Sequence, residues 1–521
     1  MRVLFRHPKI WTGMTTVSGL LVDDGLIVAA GAAADLEAPG VRVHDLPGEL
    51  VIPGLHDAHI HTAAFARDLA GVNLRGVRSV QEAQDVLRLH QTGLTDAEWV
   101  LGGFWDSNRW EVPVQPGRAD LDAVTGDRPA VLWSVDCHTL WVNSAALRAA
   151  GITGATDDPP GGEIVRDAHG QPTGILRENA CAAIESVIPS DADTLADKLR
   201  VAQDSLLRLG LTSITDIDGE DALEAFRQLY DARGLAVRVT KAVRQPALDL
   251  AIAQGRRTGD GDDRLRTGPV KLFSDGALGS HTSHMSSPFA GEGDNCGLAT
   301  LSPEELYDLT RRAVDAGLSV ATHAIGDAAA AAVLDAYERV LAETGTSLRL
   351  RIEHAQHLRP ADIPRMARLG VVASMQPTHC TSDLDLVDWL LAGHDIVSYG
   401  WRTVLDAGVP LAFGSDAPVE SPNPFLALHA AVTRQRADGI PPGGWQPHER
   451  VTLAEALSAH TLGAAYAAGD EARKGTLEPG KLADFIAVDT DLFAVAETDP
   501  VAIAQATVQE TIIGGESVFT A

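Results

Sequence analysis

The sequence predicts an α/β protein: a (β/α)8 TIM barrel with a small β-sandwich built from both chain ends and an insertion after barrel strand one. Three observations predict it. Short apolar runs alternate with helical patterns through the middle of the chain, and this alternation makes parallel strands, eight of which close a barrel. Both chain ends carry short strands and tight turns instead, and chain ends tend to meet. The interval between the first and second apolar runs is too long for one crossover.

Residues 1–53 form the N-terminal part of the sandwich. Leu20-Leu21-Val22 and Leu26-Ile27-Val28 flank Asp23-Asp24-Gly25, a hairpin with an Asp-Gly turn. The C-terminal part, 473–521, has a strand near Lys481–Asp489 and strands within Val508–Phe519 broken by Gly514-Gly515. Between them, 54–472 is the barrel. Its first strand lies in Val51–His61. The other seven are expected at Leu211–Asp216, Ala236–Ala242, Pro269–Phe273, Leu318–Ala324, Leu348–His354, Val371–Gln376 and Pro410–Phe413. Helices are expected at Pro303–Ala316, Asp327–Glu343 and Pro360–Leu369. Ser302-Pro303-Glu304-Glu305 is a helix start, with a capping residue, Pro at the first position and acids in the first turn. The insertion spans about 72–205 and holds the aromatic stretches Trp99–Trp110 and Val131–Asn143. Such insertions sit at the C-terminal face of a barrel.

The 521 residues are 45% hydrophobic, enough for a large core, and the net charge is −29. That charge opposes nucleic-acid or anionic-membrane binding, which needs a basic face. It reads as a solvated, self-repelling surface. The four cysteines are far apart and without a Cys-x-x-Cys pair, which fits a reducing cytosol rather than a disulfide framework. No apolar leader and no apolar run of membrane-spanning length is evident, so a cytoplasmic protein is expected.

The chemistry lies at strand ends. His59 and His61 are spaced i, i+2 and face the same side of a strand, half of a metal site. Strand four carries Lys271, strand five ends in His323, strand six in His354 and strand eight in Asp416. Singly, each has a bland reading: a structural histidine, a Lys271–Asp275 ion pair, a turn aspartate before Pro418. Together they place four imidazoles, a lysine and a carboxylate at the mouth where barrel active sites form.

These residues resemble the amidohydrolase superfamily, and more narrowly its YtcJ-like branch, amidohydrolase family 3, which includes N-substituted formamide deformylases. The resemblance is carried by Pro53-Gly-Leu-His-Asp-Ala-His-Ile-His61, Val270-Lys-Leu-Phe-Ser-Asp-Gly276, Ala321-Thr-His-Ala-Ile-Gly-Asp327, Arg351-Ile-Glu-His-Ala-Gln356, Ser374-Met-Gln-Pro377, Phe413-Gly-Ser-Asp-Ala-Pro418 and Gly480-Lys-Leu-Ala-Asp-Phe485. It implies two divalent metal ions, zinc expected. His59, His61 and Asp416 would hold one, His323 and His354 the other, with carbamylated Lys271 as bridge. A neutral Lys271 with a single metal is the alternative. A lysine ammonium beside two dications is disfavoured, which favours the carbamate.

The implied reaction is hydrolysis of a small non-peptide amide C–N bond (N-acyl, N-formyl or cyclic amide) by a metal-bound hydroxide, with Asp416 as proton shuttle. The same scaffold also suits an esterase, a lactonase, a deaminase or a non-catalytic oligomeric scaffold. Trp105, Asp106, His138 and Gln376 are candidate substrate contacts, although packing explains the tryptophans better. Glu353 and Asp327 are candidates for orienting imidazoles, Glu353 the weaker because it alternates away from His354. His281 and His284 read as substrate contacts or structural residues. The expected partner is a small molecule, and a homodimer is the default assembly.

Overall fold

A strand covered on both faces reads as one buried run, and the barrel strands do: every residue of Leu55–Ile60, Leu211–Asp216, Val320–Ala324 and Leu350–His354 is buried. The computed structural model describes residues 2–521 except 96, 97, 108, 109, 113, 135–138, 160 and 161. The barrel sheet has eight strands in chain order: Leu55–Ile60, Leu211–Asp216, Arg238–Arg244, Leu265–Phe273, Val320–Ala324, Leu350–His354, Val372–Met375 and Leu411–Phe413. Neighbours pair in parallel throughout.

The ends of strands one and eight meet just past the last strand. Asp416 N donates to His59 O at 2.7 Å and His61 N to Ala417 O at 2.9 Å. Asp57 ties the same seam: its carboxylate accepts Ser415 Oγ at 2.5 Å, Ser415 N at 2.9 Å and His59 N at 3.1 Å. Burial nevertheless pushes the Asp57 carboxyl up to about 7. Glycine is needed at 414, since a Cβ there would stand 2.5 Å from His59 N.

Helices Pro303–Asp315, Asp327–Thr344 and Asp362–Leu369 follow strands four, five and six. The first starts as its sequence predicts. Ser302 Oγ accepts from Glu305 N at 3.3 Å, and Ser302 N donates to Glu305 Oε2 at 2.8 Å. Among the described residues, no helix is long and apolar enough to cross a membrane.

The chain ends build a second eight-stranded sheet. Its order is Glu516–Thr520, Val508–Ile513, Phe485–Val488, Leu50–Pro53, Val3–Trp11, Thr16–Asp23 and Leu26–Gly31, with Arg42–Asp45 also on Val3–Trp11. The antiparallel pairing of Leu50–Pro53 with Phe485–Val488 joins the two ends. The sheet bulges between Arg6 and Ile10. It packs Phe5, Leu20, Ile27, Val51, Phe485 and Ile512 into one core. Both hairpin turns use left-handed pairs: Asp24 and Gly25 at φ 48° and 79°, Gly514 and Gly515 at 61° and 76°. Positive φ at both central positions is what a two-residue hairpin requires.

The barrel and this sheet belong to one compact unit; Ala63–Lys198 forms another. It starts and ends earlier than 72 and 205. Helix Thr62–Ala70 already runs into it, and the chain leaves it within helix Leu195–Arg208. Its six-stranded sheet has the order Gly162–Arg166, Pro172–Glu178, Thr139–Val142, Ala130–Ser134, Val100–Trp105, Val72–Asn73. Trp105, Trp110 and Trp141 form its core, with ring centroids 5.9 to 6.3 Å apart. Trp105 is 3% exposed and donates its indole N–H to Leu132 O at 3.1 Å. Trp105 is thus packed within the insertion, the reading the sequence favours for the tryptophans.

Candidate metal centre

The i, i+2 spacing at the end of strand one sets the His59 and His61 rings side by side, 5.8 Å apart. A carboxylate behind each ring decides its tautomer. His59 Nδ1 lies 2.5 Å from Glu353 Oε2, and His61 Nδ1 lies 2.9 Å from Asp218 Oδ1. Each ring then turns Nε2 forward, and both Nε2 atoms stand 3.4 Å from Asp416 Oδ1. Carboxylates that fix an imidazole in this way are typical supports of metal ligands. Asp218 is itself held past the end of strand two, its N–H donating to Asp216 Oδ1 at 3.1 Å.

Glu353 sits in a buried lattice. Arg351 Nε donates to its Oε1 at 2.7 Å, and Arg351 Nη2 donates to Ala58 O at 2.8 Å and to Ser374 Oγ at 3.0 Å. Simple alternation sends Glu353 and His354 to opposite faces. His354 escapes this because its backbone is left-handed, φ 72°, as is that of Ala355 at 44°. Glu353 can then reach His59 while His354 turns toward the mouth. Asp416 is also left-handed, at φ 60°. Non-glycine residues in this region are costly and cluster at functional sites.

His354 Nδ1 bonds Gln376 Oε1 at 2.8 Å, and the His323 ring lies 4.5 Å from the His354 ring. His323 Nε2 donates to Gly276 O at 3.1 Å, leaving Nδ1 as its free lone pair. Gln376, a candidate substrate contact, orients His354. Asp327, a candidate for orienting an imidazole, does not. It binds Ser286 N at 2.8 Å and Arg359 Nε at 3.1 Å rather than an imidazole. Asp275 lies nearer the site, with Oδ1 3.3 Å from His323 Nε2. It also accepts Ile325 N at 3.1 Å and Gly326 N at 2.8 Å, so it does not pair with Lys271.

Lys271 is fully buried, and its Nζ has no hydrogen-bond partner among the described residues. Burial lowers its ammonium to about 8, against the pull of Glu353 and Asp416. Burial and Lys271 lower His59 to about 4. Burial opposes protonation of His61 too, but the bonds to Asp218 and Asp416 outweigh it and raise that ring to about 9. Burial would raise Asp416, yet the surrounding imidazoles hold it well below the usual carboxylate range. Ligand atoms of His59, His354 and Asp416 lie within 4.8 Å of one another, a geometry able to hold a cation.

His59, His61, His323, His354 and Asp416 all line one cavity of about 290 Å³. His138 lies outside the described residues. His281 stands apart from the lining, 2.5 Å from Glu292. The sequence reading missed His379. It follows strand seven in the first turn of helix Pro377–Leu390, stacks on His354 at 5.8 Å and 7°, and points Nε2 at Asp416 Oδ2, 3.7 Å away. Its signal was a polar residue two positions after the Pro that starts that helix.

A parallel barrel whose strand ends gather histidines, a lysine and an aspartate defines a barrel hydrolase of the metal-dependent class. The model of the amidohydrolase family matches residues 42–519, and the chain belongs to that family. It is 34% identical to Protein LONG AFTER FAR-RED 3 of Arabidopsis thaliana, over 96% of this chain and 88% of that one. It is 31% identical to an N-substituted formamide deformylase of Arthrobacter pascens, over 91% and 90%. Among solved structures, an uncharacterized metal-dependent hydrolase from Pyrococcus horikoshii superposes with a TM-score of 0.80 at 28% identity, covering 96% of this chain and 99% of the other.

Proposed function

We propose that this amidohydrolase cleaves a small, non-peptide amide C–N bond, of the N-acyl, N-formyl or cyclic amide kind. The observation that carries the reading is the position of Asp416, one carboxylate oxygen 3.4 Å from Nε2 of both His59 and His61 at the cavity wall.

The residues fit divalent metals. His59 Nε2, His379 Nε2 and Lys271 Nζ are buried with no hydrogen-bond partner among the described residues, and such orphaned atoms are costly unless a ligand occupies them. His59, His61 and Asp416 would hold one ion and His323 and His354 the other. Lys271 would bridge them as a carbamate, formed when its neutral amine adds to CO2 and loses a proton. When bound, such ions supply Lewis acidity, acidifying water and polarising a carbonyl. The chain does the rest. Glu353, Asp218 and Gln376 fix three ring orientations. Asp416, ionised at neutral pH, takes a proton from the attacking water and returns it to the leaving nitrogen.

The test pairs elemental analysis of protein purified without added metal or chelator with hydrolysis of N-formyl, N-acyl and cyclic amides and their isosteric esters. Bound divalent metal and amide turnover are expected, and Asp416→Asn should lower kcat by about 10²-fold or more with the fold retained. Turnover confined to the esters, or near-normal activity of Asp416→Asn, would sink this reading.

A further inference from the structure

We propose that the substrate of this site carries an ammonium group at the end away from the scissile bond, held between Asp383 and Glu420. The inference rests on the hydrolase reading above and names its substrate class.

The cavity that holds the histidine cluster is lined by three carboxylates, Asp383, Asp416 and Glu420, and among the described residues by no lysine or arginine. Asp416 faces the imidazoles. Asp383 feels the charge of His379, but neither of the other two forms an ion pair with that cluster among the described residues. Asp383 accepts the Tyr399 hydroxyl at 2.6 Å, and Glu420 accepts the Ser382 hydroxyl at 2.5 Å. Neither forms an ion pair with a lysine or arginine among the described residues. Arg244, whose guanidinium lies 4.8 Å from the Phe273 ring centroid, is outside the lining. Burial raises the Asp383 carboxyl, as expected of a carboxylate that still lacks a cation.

A second observation points the same way. Gln356 lines the cavity at 3% exposure. Its Nε2 bonds His379 Nδ1 at 3.2 Å, and its Oε1 has no donor among the described residues. Buried acceptors are rarely left unsatisfied. Two carboxylates and an orphaned carbonyl oxygen ask for one kind of ligand, a cation rich in N–H donors.

Position sets the rest. His379 and Asp383 are one helical turn apart on the same face of helix Pro377–Leu390. His379 reaches toward Asp416, so Asp383 lies about 6 Å farther along the helix. Phe273, Leu278, Ile325 and Val419 supply apolar surface in the same cavity. A short methylene chain between amide and ammonium matches that sequence of groups.

The test uses three probes of equal length: monoformyl-diaminobutane, N-formyl-aminobutanol and N-formyl-aminobutyrate. Their binding is measured by titration calorimetry on the metal-stripped full chain with Asp416 intact, in which turnover does not interfere. The ammonium probe should bind about tenfold tighter than the alcohol, as a charge-assisted bond implies, and the carboxylate probe should bind weakest. Adding Asp383→Asn with Glu420→Gln should bring the ammonium-to-alcohol ratio to about one. Equal binding of all three, preference for the carboxylate, or no binding of any would overturn the inference. Turnover of the alcohol probe by the unmodified chain reports separately on the C–N bond. Binding preference without turnover would leave the cation site standing and remove the hydrolase reading.

Discussion

Glu353 Oε2 lies 2.5 Å from His59 Nδ1, although 294 residues separate them in the chain. The contact joins strand six to strand one across the barrel interior, and Arg351 completes it from the other side. Glu353 has two tasks: it orients a metal-facing imidazole and it neutralises a buried guanidinium. The variants Glu353→Gln and Glu353→Ala separate them. The glutamine keeps hydrogen bonds but not charge, so the fold should survive with metal affinity reduced about 10- to 100-fold. The alanine strands Arg351 in the core and should cost about 3–5 kcal/mol in urea unfolding. Equal losses of stability from the two would show that Arg351 depends on the charge alone and that the hydrogen bonds the glutamine keeps do not hold the fold.

Lys271 has the opposite problem, a buried amine over the Phe273 ring with no hydrogen-bond partner among the described residues. Lys271→Met keeps much of the volume and removes the polar group. In the metal-free protein it should stabilise the fold by about 1–4 kcal/mol, since burying an unpaired cation is costly. In the metal-loaded protein it should lower metal content from about two ions per chain toward one. Metal content unchanged in Lys271→Met would remove the bridge from the assignment.

Arg238 and Asp484 bind barrel strand three to the C-terminal segment. Nε and Nη2 meet the two carboxylate oxygens at 2.6 and 2.8 Å, and both side chains are 5% exposed. Asp484 Oδ1 also accepts Gly514 N at 2.8 Å. Asp484→Ala leaves a buried charge unpaired, and a loss of about 3–5 kcal/mol in chemical unfolding is expected. A loss below ~1 kcal/mol would mean that water replaces the carboxylate.

His357 makes the fold acid-sensitive away from the metal site. It is fully buried, bonded through Nδ1 to Ser398 Oγ at 2.9 Å, and burial lowers its pKa from 6.5 to about 3. A depressed folded pKa means that the unfolded chain takes up the proton first. Stability from the neutral ring is therefore fully present above 6.5 and is lost as pH falls from 6.5 toward 3. The slope from this group is about 1.4 kcal/mol per pH unit inside that window. His357→Gln should flatten the decline between those limits, read from urea midpoints at stepped pH. An unchanged slope would place the acid sensitivity elsewhere.

Much of the site was legible in the chain because strand ends obey a local rule. The i, i+2 pair His59 and His61, and the single polar residues closing otherwise apolar runs, identify themselves by periodicity. The same rule misjudged Glu353. Alternation holds only for extended backbone, and the left-handed turn at His354 breaks it at the one residue where the site needs both neighbours. Gln376 and Asp327 show a related limit. Each was marked by its closeness in sequence to the site, but its partner is set by which strand or loop lies opposite.

The sequence by itself determined the barrel, the union of the two chain ends and the set of polar residues at strand C-termini, because apolar period and turn chemistry are properties of short segments. Only the tertiary structure decided which carboxylate stands behind which imidazole, that His379 joins them, and that Asp383 and Glu420 line the cavity without an ion-paired lysine or arginine among the described residues. The physical reason is that side-chain pairing depends on distances between segments hundreds of residues apart, and those distances exist only once the barrel has closed.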